Sequence, residues 1–506
     1  MLLSRVVEAS GAVAATRSRK TKVAVLDGLL RDAAADEVEP VVAWLSGELL
    51  QGRIGVGWRT LSGADVPPSA TGTLTVPEID SVFGQLAVTT GSGSTAARRG
   101  LLESLFARAT QDEQRFLVQI LGGELRQGAL EGIMTEAIAA ASAQPLDVVR
   151  RAFMLSGRLP VTAAAALSGG ADALAAFRLE VGRPIRPMLA SPAESTSAAL
   201  DELGHEVTVE YKLDGARIQV HRDGDDVRIF TRTLREITSR VPELVELAKA
   251  LPCRSVVLDG ETLALTDAGR PRPFQETMSR FGASSERELL LRPYFFDCLH
   301  LDGNDLLDRP LTERLDALES VAAQHRIPTA LSPDLAGAEA QLGDALAHGH
   351  EGVVIKSLAS PYAAGRRGRS WQKVKPEHTL DLVVLGAEWG YGRRTGYLSN
   401  LHLGARDPDG GPPIMVGKTF KGLTDALLRW QTEEFPRHES HRDAHTVYLR
   451  PELVVEIELD GVQVSSRYPG GLALRFARVL RYRPDKDPRE ADTIDAVRAL
   501  LPAHRA

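Results

Sequence analysis

The chain has 506 residues, of which 43% are hydrophobic and 25% charged, and its formal net charge is −7. That length exceeds what one hydrophobic core organises, so two to four domains of ordinary soluble character are expected. Two cysteines, Cys253 and Cys298, are too few for a disulfide framework or a structural zinc site, the first residues read as no signal peptide, and no run approaches the ~20 apolar residues of a membrane span. These features fit a reducing cytoplasm and a chain that does not enter a membrane.

Residues 1–182 read as helical, because apolar residues recur at helical spacing in Ala- and Leu-rich segments with few strand formers. An internal echo stands out: L-S-G-E-L-L-Q-G-R from Leu45 and L-G-G-E-L-R-Q-G-A from Leu121. Each should end a helix at a C-capping glycine, Gly52 or Gly128. Two such units either offer backbone loops to phosphates or are duplicated packing units. Three prolines between Arg183 and Ser195 mark a boundary. Residues 183–381 then alternate in β-branched fashion, with a hairpin of I-Q-V-H-R and V-R-I-F-T joined across D-G-D-D. Residues 382–506 carry short strands, Gly and Pro turns and one helix around G-L-T-D-A-L-L-R-W-Q, the size and mix of an OB-fold barrel. The glycine-rich G-Y-G-R-R-T-G, Gly390–Gly396, is either an interdomain hinge or a turn of that barrel. The fold class expected is multi-domain α+β.

The chemistry gathers in the middle segment. V-E-Y-K-L-D-G-A-R sets Lys212 in an apolar strand, where a lysine must be paired or must become neutral, and a neutral lysine is a nucleophile. Glu210 and Arg217 lie at even and odd offsets from it and need not share its face. L-D-G-E places Asp259 and Glu261 at the end of an apolar strand, or in a turn. F-F-D offers a ring at Phe296, for stacking or for the core. Glu351, ahead of G-V-V-I-K, is a turn residue or a metal ligand. Lys373 and Lys375 in S-W-Q-K-V-K are two apart on a strand, so an anion between them would relieve their repulsion. Together these describe a nucleoside-triphosphate site, with Mg²⁺ on an acid and no P-loop to cradle phosphate. Two basic runs, Arg366–Lys375 without an acid and Arg467–Lys486 with only Asp485, are either solvated faces or anion-facing surfaces.

The order K-L-D-G-A-R, T-R, L-D-G-E, F-F-D, E-G-V-V-I-K, W-Q-K-V-K and R-Y-R-P-D-K resembles the covalent nucleotidyltransferases, and closely the ATP-dependent DNA ligases. With the helical start and the P-M-L-A boundary, the likeness extends to the actinobacterial ligase B type, which has an N-terminal DNA-binding domain. It implies a DNA-binding domain at 1–182, an adenylation domain at 183–381 and an OB-fold at 382–506. ATP and Mg²⁺ are the implied cofactors, and nicked double-stranded DNA is the implied partner of a monomer. Lys212 would carry AMP as a phosphoramidate. Glu210 would contact the adenine and Phe296 stack on it, while Arg217 and Glu261 would hold the ribose. Arg232 would engage the ribose or the 5′-phosphate of a nick. Glu351 would bind the metal, with Asp259 and Glu261 as further carboxylates for it. Lys373 and Lys375, assisted by Arg367, would hold the α-phosphate. Arg483, Asp485 and Lys486 would orient the departing pyrophosphate when the barrel closes, and Arg475 and Arg478 would touch DNA. An NAD-dependent ligase would need a four-cysteine module that two cysteines cannot supply. Capping guanylyltransferases and RNA ligases do not need the helical region, and a non-catalytic clamp would not keep Lys212 and its acids.

Overall fold

The computed structural model describes residues 1–52, 54–57, 60–61, 66–123, 125, 127, 131–266, 269–272, 276–277, 290–363, 369–391 and 394–501. The first part is helical, with helices at Leu3–Ala15, Arg19–Asp32, Val38–Leu45, Val76–Val88, Ser94–Phe106, Gln111–Leu121, Glu131–Ala141, Leu146–Ser156 and Leu159–Ala175. Apolar residues three and four apart explain them: Leu3, Val6 and Val13 of the first helix are all buried. Trp44 sits at the heart of this core, edge-on to Phe83 with ring centroids 5.7 Å apart. Side-chain caps at Ser18, Thr75 and Thr110 set three of the helix starts. Glu113 reaches back to the amide of Thr110 at 2.8 Å, closing a capping box.

The expected glycine caps fall elsewhere. The third helix stops at Leu45, and Gly47 takes the left-handed backbone (φ +80°), five residues before Gly52. The second unit stops at Leu121 with Gly123 at φ +68°, and Gly128 lies outside the described residues. The sequence echo placed the cap too late because the first repeat carries two glycines and the second three. The two turns do face each other, across a cavity of about 560 Å³ lined by Gly47, Gly52, Gly122 and Gly123 among others.

The middle part is built on two five-stranded sheets. One has the order β1 (Ser191–Pro192), β10 (Trp371–Val374), β9 (Gly352–Ser357), β2 (Val207–Lys212), β8 (Thr329–Leu331). The other has the order β4 (Asp226–Thr231), β3 (Ala216–Asp223), β5 (Ser255–Ala264), β6 (Leu291–Leu301), β7 (Asn304–Asp305). The predicted hairpin is β3–β4, in register from Ile218↔Thr231 to Asp223↔Asp226. Helices at Thr196–Leu203 and Leu335–Ala347 contact the first sheet, and those at Pro242–Lys249 and Leu311–Ala322 contact the second. Gly215 makes the turn from β2 to β3 possible: a Cβ there would lie 2.6 Å from the carbonyl oxygen of Thr262.

The last part is a barrel-like seven-stranded sheet. Its path is β13 (Ile414–Thr419), β12 (Leu398–Ala405), β11 (His378–Trp389), β15 (Thr446–Leu449), β14 (Glu439–Arg442). β16 (Val454–Leu459) pairs with both β11 and β19 (Arg478–Tyr482), and a separate hairpin joins β17 (Gly461–Val464) to β18 (Leu472–Arg475). The predicted helix is Asp425–Glu434. Gly390–Gly396 falls in the connection from β11 to β12, where the Gly390 amide donates to Tyr397 O at 2.8 Å; residues 392 and 393 of it lie outside the described residues. The chain passes from the middle sheets into the barrel between Val374 and His378. No helix among the described residues is long and apolar enough to cross a membrane.

One polar cluster on the barrel carries a pH prediction. Glu388 accepts from Asn400 at 2.7 Å, from His402 at 3.1 Å and from Lys418. Burial alone would raise its carboxyl, but these three donors win and hold it at about 2. A depressed acid stabilises the fold above its unfolded pKa of about 4.3, and that stability fades as pH falls toward 2. With partial solvent screening, Glu388→Gln is expected to cost about 2 kcal/mol at pH 7 and about a quarter of that near pH 2.5. Denaturant titrations at both pH values test this; a cost independent of pH would count against it.

Candidate active site

The site forms where the two middle sheets face each other. Along β2, alternation puts Glu210 and Lys212 on the same face, so the even offset decides in favour of Glu210. Lys212 is the last residue of β2 and pairs in register with Gly352 at the start of β9. The Glu351 amide donates to Lys212 O at 2.9 Å, and the Lys212 ammonium then meets the Glu351 carboxylate directly. Gly352 is required for that approach. Its φ is +148°, and a Cβ would fall 2.2 Å from Val374 O.

Arg217 comes from the other sheet. It is the second residue of β3, just past the Asp214–Gly215 turn, and pairs in register with Glu261 of β5. Asp259, two residues earlier on β5, holds Arg217 bidentately at 3.0 and 2.7 Å. Tyr362 donates to the same carboxylate at 2.6 Å, and Arg217 also donates to Met188 O at 2.6 Å. Both oxygens of Asp259 are thus engaged, and the side chain is wholly buried. Burial pushes Glu261 up to about 8, against the pull of Arg217 and Lys212.

The floor holds a pair that the motif reading passed over. Lys356, on β9, is 2.5 Å from the Glu210 carboxylate, and both side chains are only 2% exposed. Its ammonium lies 4.3 Å from the Phe296 ring centroid and 4.2 Å from that of Trp371, and the two rings meet edge to face. Burial raises the Glu210 carboxyl, opposed by Lys356. The signal was available: the reasoning that singled out a lysine in an apolar strand at Lys212 applies equally to the last residue of V-V-I-K. Trp371 shares the face of Lys373, two residues on.

These residues surround a cavity of about 500 Å³. Its lining includes Glu210, Lys212, Arg217, Arg232, Glu261, Phe296, Lys356, Trp371 and Lys373. One end is flat and aromatic with a buried acid–base pair, and the other is charged, which suits a base at one end and phosphate at the other.

Other expected residues lie apart from that lining. Lys375 falls just beyond β10 and pairs with Asp460, in the turn between β16 and β17. Arg475 of β18 grips Asp214 at 2.7 and 3.1 Å and comes within 3.9 Å of Glu351. Burial works to raise Asp214, yet Arg475 holds it below the ordinary carboxylate range. The barrel therefore touches the middle part through both signs of charge. Arg483, Asp485 and Lys486 are elsewhere: Arg483 pairs with Asp485 at 2.7 Å and Asp381 at 3.2 Å, and Lys486 with Asp381 at 2.5 Å. Arg367 lies outside the described residues. Breaking the barrel contact with Arg475→Ala is expected to slow the overall reaction about 10- to 100-fold, the scale of losing a charge-assisted bidentate pair. Single-turnover rates before and after the substitution measure it, and an unchanged rate would make this contact incidental.

Three family models match the chain. They are the ATP dependent DNA ligase domain at residues 187–375, the DNA ligase N terminus at 64–139 and the ATP dependent DNA ligase C terminal region at 394–486. A probable DNA ligase of Rhodococcus jostii (strain RHA1) is 74% identical over 502 residues, covering 99% of this chain and 100% of its own. One from Saccharopolyspora erythraea is 69% identical over 506 residues, covering 100% and 99%. The solved structure described as Pmar-Lig_PreS3 has a similar fold, with a TM-score of 0.62 at 18% identity over 94% of this chain and 99% of its own.

Proposed function

The chain belongs to the ATP-dependent DNA ligase family, and we propose that it seals nicks in duplex DNA through an adenylate carried on Lys212. The observation that carries this reading is the placement of Lys212 on a 500 Å³ cavity whose floor holds Phe296, Trp371, Glu210 and Lys356. Glu210 and Lys356 offer an acceptor and a donor to the edge of the adenine, and Phe296 offers it a ring face. Arg217, locked in place by Asp259, and Glu261 face the ribose from the opposite sheet. Arg232, on the lining past β4, serves the ribose or the 5′-phosphate of the nick.

In the first step the Lys212 amine attacks the α-phosphorus, the bond to the β-phosphate oxygen breaks, and pyrophosphate leaves. Lys373 and Lys375, with Arg367, neutralise the phosphate oxygens as charge develops. Next a 5′-phosphate oxygen at the nick attacks the same phosphorus, and Lys212 departs. Finally the 3′-hydroxyl attacks the 5′-phosphorus, closing the strand and releasing AMP. Mg²⁺ fits an all-oxygen donor set of one or two carboxylates plus phosphate, and when bound it supplies further charge neutralisation. Glu351, beside Lys212, would be the carboxylate for it, with Glu261 as a further one. Asp259 serves by fixing Arg217, because both of its oxygens are engaged. Arg483, Asp485 and Lys486 reach the pyrophosphate only after the barrel rotates from the present arrangement, which releases Lys375 from Asp460.

The test uses purified protein with Mg²⁺ and either α-labelled ATP or adenylate-labelled NAD, followed by unlabelled nicked duplex. Label that arises from ATP alone and is chased onto the DNA supports the reading. Label from NAD, or none, would overturn it.

A further inference from the structure

Tyr211 lies between Glu210 and Lys212 on β2, and alternation turns its side chain to the opposite face, toward the helix Leu335–Ala347. Its hydroxyl donates to the carboxylate of Asp344, in the last turn of that helix. Burial, helped by that carboxylate, pushes the phenol up to about 12, so the hydroxyl stays the donor. The ring packs on His350 with centroids 5.2 Å apart and on His348 at 6.3 Å. The buried Nδ1 of His350 has no hydrogen-bond partner among the described residues, so on that side packing seats the imidazole.

Both histidines belong to the connection that delivers Glu351. The helix ends in a Schellman motif: Gly349, at φ +83°, donates to Leu346 O at 3.0 Å, and the His350 amide donates to Ala345 O at 2.9 Å. One residue later the Glu351 amide donates to Lys212 O, and β9 begins at Gly352, opposite Lys212. The capping motif therefore fixes the chain up to His350, and strand pairing fixes it from Gly352. Glu351 stands between the two. Tyr211 holds the helix end through Asp344 and the preceding residue through His350. From the back of the sheet, the neighbour of the nucleophile thus braces the turn whose acid meets the nucleophile on the front.

We propose that Tyr211 is a positioning residue for the first chemical step: through Asp344 and His350 it fixes the turn that holds the Glu351 carboxylate against Lys212. The inference rests on the reading of Lys212 as the adenylate carrier. Glu210, Phe296 and Lys356, at the base end of the cavity, keep their contacts when the Tyr211 hydroxyl is removed. The effect therefore falls on the rate of bond formation and not on ATP binding.

The experiment follows single-turnover labelling of Lys212 from ATP in wild type, Tyr211→Phe, Tyr211→Leu and Asp344→Ala, and repeats Tyr211→Phe in a Glu351→Gln background. Tyr211→Phe is expected to lower the maximal rate about fivefold with KM for ATP unchanged. Asp344→Ala should match it, and Tyr211→Leu, which also gives up the ring on His350, should lose more. In the Glu351→Gln background the same Tyr211→Phe change should cost about twofold or less, because a brace has no effect once the group it holds is gone. Amide hydrogen exchange reads the turn without activity: Tyr211→Phe should speed exchange at His348–Gly352 and leave β5, on the other sheet, as in wild type. Equal losses in both backgrounds, a raised KM at constant maximal rate, or unchanged exchange across the turn would overturn the proposal. If Glu351→Gln takes no measurable label, the exchange result decides. If wild type itself takes no label from ATP, the reading of Lys212 fails, and faster exchange at the turn in Tyr211→Phe separates that failure from failure of the brace.

Discussion

Lys212→Ala is expected to remove all label from ATP and to reduce sealing of a 5′-phosphorylated nick by at least roughly 10⁴-fold, the scale seen when a covalent nucleophile is lost. Nothing else on the cavity substitutes for it. Lys373 reaches the lining from a different strand, and Lys356 is locked against Glu210 at 2.5 Å. The chemistry also predicts which step survives. Attack of the 3′-hydroxyl on DNA that already carries AMP needs no bond to Lys212, so a pre-adenylated nick should still be sealed at a substantial fraction of the wild-type rate. The measurement is one gel with two substrates. Loss of both reactions to the same degree would show that Lys212 matters through folding or metal placement, and Glu351 would then be the first partner to suspect, because Lys212 is ion-paired with it.

The second large effect is expected at Lys356. Lys356→Met leaves the Glu210 carboxyl buried without its cation, and breaking such a pair costs about 3–5 kcal/mol. Part of that cost is avoided because Glu210, already raised by burial, takes up a proton. A loss of about 3 kcal/mol corresponds to a fall in Tm of roughly 6–12 °C for a domain of this size. The double variant Glu210→Gln/Lys356→Met removes the charge problem altogether and should recover most of the stability. It should not recover ATP use, because the donor and acceptor facing the base are both changed. Thermal melts of the three variants, with ATP labelling beside them, separate these terms as a double-mutant cycle. A double variant as unstable as the single one would show that packing between Phe296 and Trp371, rather than charge, makes Lys356 indispensable.

The candidate site was legible to the extent that its chemistry sits on short local runs. Lys212 and Glu210 alternate on one strand, and L-D-G-E places Asp259 and Glu261 on another; a period of two is enough to read such pairs. Phe296 was legible as a ring but not as half of an aromatic bracket. Its partner Trp371 lies on β10, and only the pairing of β10 with β9 sets it over Lys356. Asp259 was read as a metal carboxylate because nothing local reveals that Arg217 and Tyr362 close around it. The capping glycines were misplaced for a related reason. Gly47 and Gly52 both take the left-handed backbone, at φ +80° and +66°, and nothing local in L-S-G-E-L-L-Q-G says that the helix has already stopped at Leu45.

The sequence by itself determined the helical start, the alternating middle, the barrel-like end and the ordered set of charged and aromatic residues that identify the chemistry. Those properties depend on neighbours a few residues apart, which strand and helix periods bring together wherever the chain folds. The tertiary structure alone decided which of those charges meet. Arg475 finds Asp214, Asp460 finds Lys375, and Asp381 takes up Arg483 and Lys486. The first two pairs depend on how the barrel is set against the middle sheets, and the pairs of Asp381 on how β11, β16 and β19 line up inside the barrel. Charges carry no address along the chain, so a basic run reads alike whether it will face phosphate, an acid of another domain or water.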